Sequence, residues 1–211
     1  MTHLSEHLTG KKRVLLFDFD GTLFNTAKLK DLISEQLRKY TINTDLLWET
    51  EKNLRDERFH LIETMRVFCE KVGNSEIQST IQDLFLNQNF PELVYPEVME
   101  NLKSLHEENI LALFSEGDET YQQVKIYQSK VSTLFDFIYI YHKKLEYLDE
   151  LVTFFSNKEV WYLDNQLSKL QQAQQKHPQI KTVWFNREHL NPNISYTPDY
   201  TVSTLNELSL G

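Results

Sequence analysis

Arg13-Val14-Leu15-Leu16-Phe17-Asp18-Phe19-Asp20-Gly21-Thr22-Leu23-Phe24 is the stretch on which the reading of this chain turns. Its apolar run, residues 14–17, stops abruptly at Asp18, Asp20, Gly21 and Thr22. A short apolar run ended by acids reads as a buried strand that delivers two carboxylates to its C-terminal end. Gly21 lets the backbone turn where a side chain would clash, and the Thr22 hydroxyl can brace the loop. Ligands of open α/β sheets sit outside the carboxyl ends of the strands, so chemistry is expected here. Two carboxylates this close repel, which favours a bound cation or one raised pKa. An isolated Asp-x-Asp is more often a plain acidic strand exit. The whole run Asp-Phe-Asp-Gly-Thr-Leu behind an apolar strand is far more specific.

Outward from that stretch the chain bounds its own class. Its 211 residues are enough for one domain of moderate size, or for one core with a smaller inserted unit. Apolar residues make up 40% and charged residues 25%, the balance of an ordinary globular protein. The formal net charge of −9, with no lysine- or arginine-rich block, argues against nucleic acid and anionic membrane as partners. Cys69 is the single cysteine, so no internal disulfide forms and a reducing compartment is expected. Residues 1–10 resemble neither a signal peptide nor an anchor, and no 18-residue apolar run exists, so the expected address is the cytoplasm.

After Phe24 the period changes. Leu29, Leu32, Ile33 and Leu37 recur at helical spacing over residues 26–40. Helical patterning continues over 46–72, as two helices, and over 75–87, with Gly73-Asn74 as stop and restart. Residues 25–92 therefore read as a helical insert that leaves and rejoins the main unit, leaving 11–24 and 93–211 as the core domain. From Tyr95 onward helices (97–108, 119–129, 145–155, 167–176) alternate with strands (110–114, 135–141, 159–163, 181–185 and a short 199–202). That alternation is the signature of a mostly parallel, doubly wound α/β sheet.

Several of these strands stop at a residue suited to phosphate or metal: Asp18 and Asp20, then Ser115, then Lys143-Lys144, then Asp164. On these motifs, with Tyr95-Pro96-Glu97 and Phe114-Ser115-Glu116-Gly117 between them, the chain resembles the haloacid dehalogenase superfamily over residues 11–210. It is most similar to phosphatase-like members with a helical cap inserted after the first motif. The resemblance implies a Rossmann-like core with the first strand central. It also implies Asp18 as nucleophile forming an aspartyl-phosphate, and Asp20 as the acid that protonates the leaving group and then deprotonates water. Mg²⁺ is the implied cofactor, held by Asp18, Asp164 and the backbone carbonyl of Asp20. Thr22, Ser115, Glu116, Gly117 and a lysine are the implied phosphate-binding set. Either Lys143 or Lys144 serves as that lysine, and Lys144 better fits the spacing to Leu148 and Leu151. The chain departs from the pattern in its last motif, where Leu163 and Ser168 stand in place of a glycine and a second acid.

The function implied is hydrolysis of a small phosphorylated metabolite by a monomer or weak homo-oligomer. A phosphomutase of the same fold and a non-catalytic binding or regulatory relative are the alternatives, the latter motivated by the reduced last motif. Other features read more simply. His3 and His7 suit a solvated pair and Cys69 suits core packing. Arg55, Arg58, His60 and Arg66 could read a leaving group from the insert, but more often such residues are helix surface charge. The aromatic alternation at Phe135, Phe137, Tyr139 and Tyr141 suits a buried strand.

Overall fold

The computed structural model describes residues 10–39, 42–58, 61–74, 77–192 and 195–210, with only the backbone course at 54–58 and 61–62. His3, His7 and His60 lie outside the described residues, as do the side chains of Arg55 and Arg58.

Six parallel strands form one sheet: β1 (Arg13–Phe17), β2 (Asn109–Glu116), β3 (Phe137–Tyr141), β4 (Glu159–Asp164), β5 (Lys181–Phe185) and β6 (Tyr200–Val202). Their order across the sheet is β3-β2-β1-β4-β5-β6, so β1 is flanked by β2 on one side and β4 on the other. The chain winds first one way and then the other from β1, which makes the C-terminal end of β1 the switch point. Phe17 is level with Leu113 and Leu163, and Asp18 N–H still donates to Leu163 O at 2.8 Å. The residues that follow these strands are thereby delivered to one rim.

Both faces of the sheet are buried, which explains why β1 is continuously apolar. Leu15, Phe17, Leu111, Leu113, Trp161, Leu163, Val183 and Phe185 face one side. Val14, Leu16, Ile110, Ala112, Phe114, Val160, Tyr162 and Trp184 face the other. Full burial of such a side chain contributes about 1.5–3 kcal/mol. The first face is covered by α5 (Val98–Glu108) and α6 (Glu119–Gln128), the second by α7 (Leu148–Phe154) and α8 (Leu167–Lys176).

Between β1 and β2 stand α1 (Thr26–Arg38), α2 (Thr44–Arg58), α3 (Leu61–Val72) and α4 (Ile77–Leu86). The Asn25 side chain caps α1 by accepting from Lys28 N–H at 2.9 Å, and Leu29, Ile33 and Leu37 form its buried stripe. Cys69 is enclosed in the same apolar cluster, which runs on through Met65, Phe68, Ile81 and Phe85 to the first sheet face. The chain leaves and returns side by side: Asn25 N–H donates to Leu93 O at 2.7 Å, Tyr95 N–H to Leu23 O at 3.1 Å, and Phe24 bridges Val94 antiparallel.

Three elements differ from their sequence patterns. β2 runs on to Glu116 because β3 extends beside it, pairing Ser115 with Ile140 and Glu116 with Tyr141. β3 begins at Phe137, since Phe135 closes a 3₁₀ turn at Val131–Leu134 and Asp136 is tied to Leu111 through its backbone N–H and its carboxylate. It lies half-buried at the sheet edge rather than inside, with Phe137, Tyr139 and Tyr141 stacked in a row. The helix expected from residue 145 opens as a 3₁₀ turn, Lys144–Tyr147, because the Lys144 side chain is drawn inward. Among the described residues no helix is long and apolar enough to cross a membrane.

Candidate active site

Asp18 stands one residue beyond β1, almost fully buried, with its two oxygens held differently. Oδ2 accepts from the Thr22 hydroxyl at 3.0 Å, and Oδ1 accepts from Lys144 Nζ at 2.6 Å. Lys144 also reaches Asp164 Oδ2 at 2.7 Å and is itself fully enclosed, whereas Lys143 lines the open cleft. One ammonium thus serves two carboxylates. Burial would lower the Lys144 pKa, but the charges of Asp164 and Asp18 raise it, so it stays protonated. Burial dominates for Asp18 and lifts its pKa to about 6 despite Lys144.

Asp20 is tied to the other flank. Lys125, on the inward face of α6, lies 2.6 Å from each Asp20 oxygen, and Gln122 Nε2 and Thr26 Oγ1 donate at 2.7 and 2.6 Å. Burial would raise the Asp20 pKa, but Lys125 and the two neutral donors outweigh it and the carboxyl is held below its usual value. Burial in turn lowers the pKa of Lys125 against the pull of Asp20. The local backbone permits these approaches at two glycines. A Cβ on Gly21, where φ is +76°, would meet Asn165 Nδ2 at 2.3 Å, and one on Gly117, where φ is +147°, would meet Gln122 Nε2 at 2.8 Å.

The last motif divides its labour unexpectedly. Asp164 shares the face of Tyr162, as the two-residue period of a strand requires, and points away from the cleft. It is fully buried with both oxygens engaged: Oδ2 by Lys144 and the Tyr162 hydroxyl, Oδ1 by Gln166 N–H at 2.7 Å. Asn165, one step further, lines the cleft instead, and its enclosed Oδ1 has no hydrogen-bond donor. Ser168, the position expected to lack an acid, is exposed on α8.

The implied phosphate-binding residues are similarly sorted. Thr22 is committed to Asp18. Gly117 N–H is spent on Tyr141 O at 2.9 Å, because the β2 ladder continues further than its pattern suggested. Glu116 accepts from Lys169 Nζ at 2.6 Å and from Lys144 N–H at 3.1 Å. Ser115 Oγ is buried and has no partner, so it is the hydroxyl left to bind something.

A cleft of about 680 Å³ opens over Asp18, Asp20, Glu116, Gly117 and Asn165. Its walls include Asp18, Asp20 and Lys125 from the sheet side, Thr26, Lys30 and Glu51 from the inserted helices, Trp184 from β5, and Arg187 and Leu190 from the loop after it. Lys30 and Glu51 pair at 2.8 Å. Arg66 is absent from the cleft lining and pairs instead with Glu63 and Glu70 along its own helix.

A model of the haloacid dehalogenase-like hydrolase family matches residues 12–145, the span from β1 through the site lysine. The chain belongs to this family. No curated protein sequence matches it. Among solved structures, a haloacid dehalogenase-like hydrolase from Burkholderia xenovorans is 22% identical with a TM-score of 0.81, covering 94% of this chain and 99% of that one. A 2-haloacid dehalogenase from Pseudomonas syringae pv. Tomato is 18% identical, TM-score 0.64, with 92% and 95% covered. A phosphatase of the same superfamily from Thermococcus onnurineus is 18% identical, TM-score 0.59, with 93% and 95% covered. These likenesses establish the fold of this hydrolase; its reaction has to be read from its own residues.

The donors fit a hard cation. Asp18 keeps lone pairs beyond those used by Thr22 and Lys144, and the unpartnered Asn165 Oδ1 is a neutral oxygen ligand in waiting. Among the described residues no group of three or more histidine, cysteine or acidic side chains is arranged to hold a metal, so a cation here must draw on neutral oxygens as well.

Sequence patterning missed Lys125, Gln122, Asn165, Tyr162, Lys169 and Arg187. The signal for the first two was present: Gln122 and Lys125 share the inward face of α6 with Ile126, a polar stripe where apolar residues belong.

Proposed function

We propose that this hydrolase is a Mg²⁺-dependent phosphatase that cleaves a small phosphorylated metabolite through an aspartyl-phosphate on Asp18. The observation that carries this reading is the enclosed, unpartnered oxygen of Asn165 in the cleft that also holds Asp18, with an unpartnered hydroxyl, Ser115, buried near the end of the neighbouring strand β2. A phosphoryl group calls for the hydroxyl donor, and a hard cation calls for the acceptor.

Asp18, Asn165 and the Asp20 backbone carbonyl would hold the Mg²⁺. When bound it would neutralise charge so that an anionic ester can approach an anionic nucleophile. Thr22 and Lys144 fix the Asp18 carboxylate from both sides, leaving its free lone pairs to attack phosphorus. Asp164 holds Lys144 rather than the metal. Asp20 is kept as a carboxylate by Lys125, the form that deprotonates the attacking water in the second step. In the first step the Asp20–Lys125 pair carries the proton that goes to the leaving oxygen. A polar second carboxylate beside the nucleophile favours phosphoryl transfer over dehalogenation, a chemistry with no leaving alkoxide to protonate. Residues 25–92 serve as a cap: Lys30 and Glu51 present the charged wall that meets the leaving group.

The test is a screen of phosphorylated metabolites with and without Mg²⁺, run beside Asp18→Asn. Single-turnover labelling of the parent should give an acid-stable, base-labile acyl-phosphate on Asp18. Hydrolysis by Asp18→Asn at the parental rate would overturn the reading.

A further inference from the structure

The geometry points to Arg187 as a positioning residue for Asp18, acting through Thr22. It stands just past the end of β5, and its side chain is only 9% exposed although it borders the cleft. Nε donates to Thr22 O at 2.8 Å, and Nη1 reaches Glu97 Oε1 at 2.9 Å and Ser203 O at 3.4 Å. The guanidinium plane lies 3.7 Å from the centre of the Tyr95 ring. Nη2 is enclosed without a hydrogen-bond partner, so the contacts that hold the group are those of Nε and Nη1.

Thr22 is the link. It is fully buried, its carbonyl is taken by Arg187, and its hydroxyl donates to Asp18 Oδ2. Lys144 fixes Oδ1 from the end of a long side chain shared with Asp164 and the Phe114 carbonyl; Thr22 fixes Oδ2 from a short side chain whose place is set by its own backbone. Holding that carbonyl therefore holds the plane of the nucleophile. Tyr95 donates its N–H to Leu23 O, so Arg187 also grips the returning segment where the inserted helices rejoin the sheet. One side chain from near the far end of the chain fastens the nucleophile loop to the returning segment. Separate acceptors arranged around a planar fork, with an aromatic ring against its face, suit arginine and cannot all be met by lysine.

This inference rests on Asp18 being the nucleophile of the proposed phosphatase, so its test carries a readout that needs no turnover. On the ester identified by screening, Arg187→Lys and Arg187→Met should lower kcat roughly tenfold to a hundredfold, with KM changed far less, because misplacing a nucleophile costs rate rather than affinity. Ethylguanidinium at millimolar concentration should restore part of the kcat of Arg187→Ala, which repair of a general folding defect would not do. Amide exchange at Thr22, Leu23 and Tyr95 should be faster in Arg187→Lys than in the parent at equal temperature. Parental kcat in Arg187→Lys, or a loss confined to KM, would overturn the inference. Should the parent turn over no ester, the phosphatase reading fails, and unchanged exchange at Thr22 in Arg187→Lys would overturn the positioning role separately.

Discussion

Lys125 and Asp20, 105 residues apart, meet with the ammonium 2.6 Å from both carboxylate oxygens. The lysine is enclosed and the aspartate partly open, at 1% and 29% side-chain exposure. Removing one member strands the other. Lys125→Met should destabilise the fold by about 2–3 kcal/mol in denaturant unfolding, below the full cost of breaking an enclosed pair because water still reaches Asp20. It should also let the Asp20 pKa rise, visible in carboxyl ¹³C titration.

Asp18 sets a pH limit. With its pKa lifted to about 6 before a cation binds, protonation would remove the proposed nucleophile, so kcat at limiting Mg²⁺ should fall as pH drops toward that value. Its effect on stability has the opposite sign. The folded pKa lies above the ordinary 3.8, so this group's contribution is full below about pH 4 and is lost as pH rises toward 6. Comparing urea midpoints at pH 4 and pH 7 for the parent and Asp18→Asn isolates that slope.

Gly21 cannot carry a side chain without displacing Asn165. Gly21→Ala imposes a left-handed alanine and pushes the Asn165 amide off the loop. It should cost about 1–3 kcal/mol of stability and weaken Mg²⁺ binding, measured by thermal unfolding and calorimetry.

In the proposed cation site Asn165 would supply a neutral oxygen where a charged one would bind more tightly. Asn165→Asp should raise Mg²⁺ affinity by calorimetry on the order of tenfold, and Asn165→Ala should lower it by a similar factor. Asp164→Asn should leave the direct coordination in place and act instead by loosening Lys144.

What the sequence determined by itself was the frame. A four-residue apolar run ending in Asp18 and Asp20 reads as a buried strand, and the helical period from Leu29 onward reads as helices between that strand and the next. Those patterns are local, because alternation and helical spacing are properties of neighbouring residues. The β2 and β3 ends were misjudged because a strand's length depends on the partner beside it, as the pairing of Ser115 with Ile140 shows. Tertiary structure alone decided which side chains meet: Lys125 with Asp20, Arg187 with Thr22, and Lys144 with Asp18 and Asp164 together. It also decided that Asn165 rather than Asp164 faces the cleft, since the direction of a side chain past the last rung of a strand is set by the turn and by what already fills the space. Contacts across more than a hundred residues leave no local period, so the rim of the sheet had to be folded before its chemistry could be read.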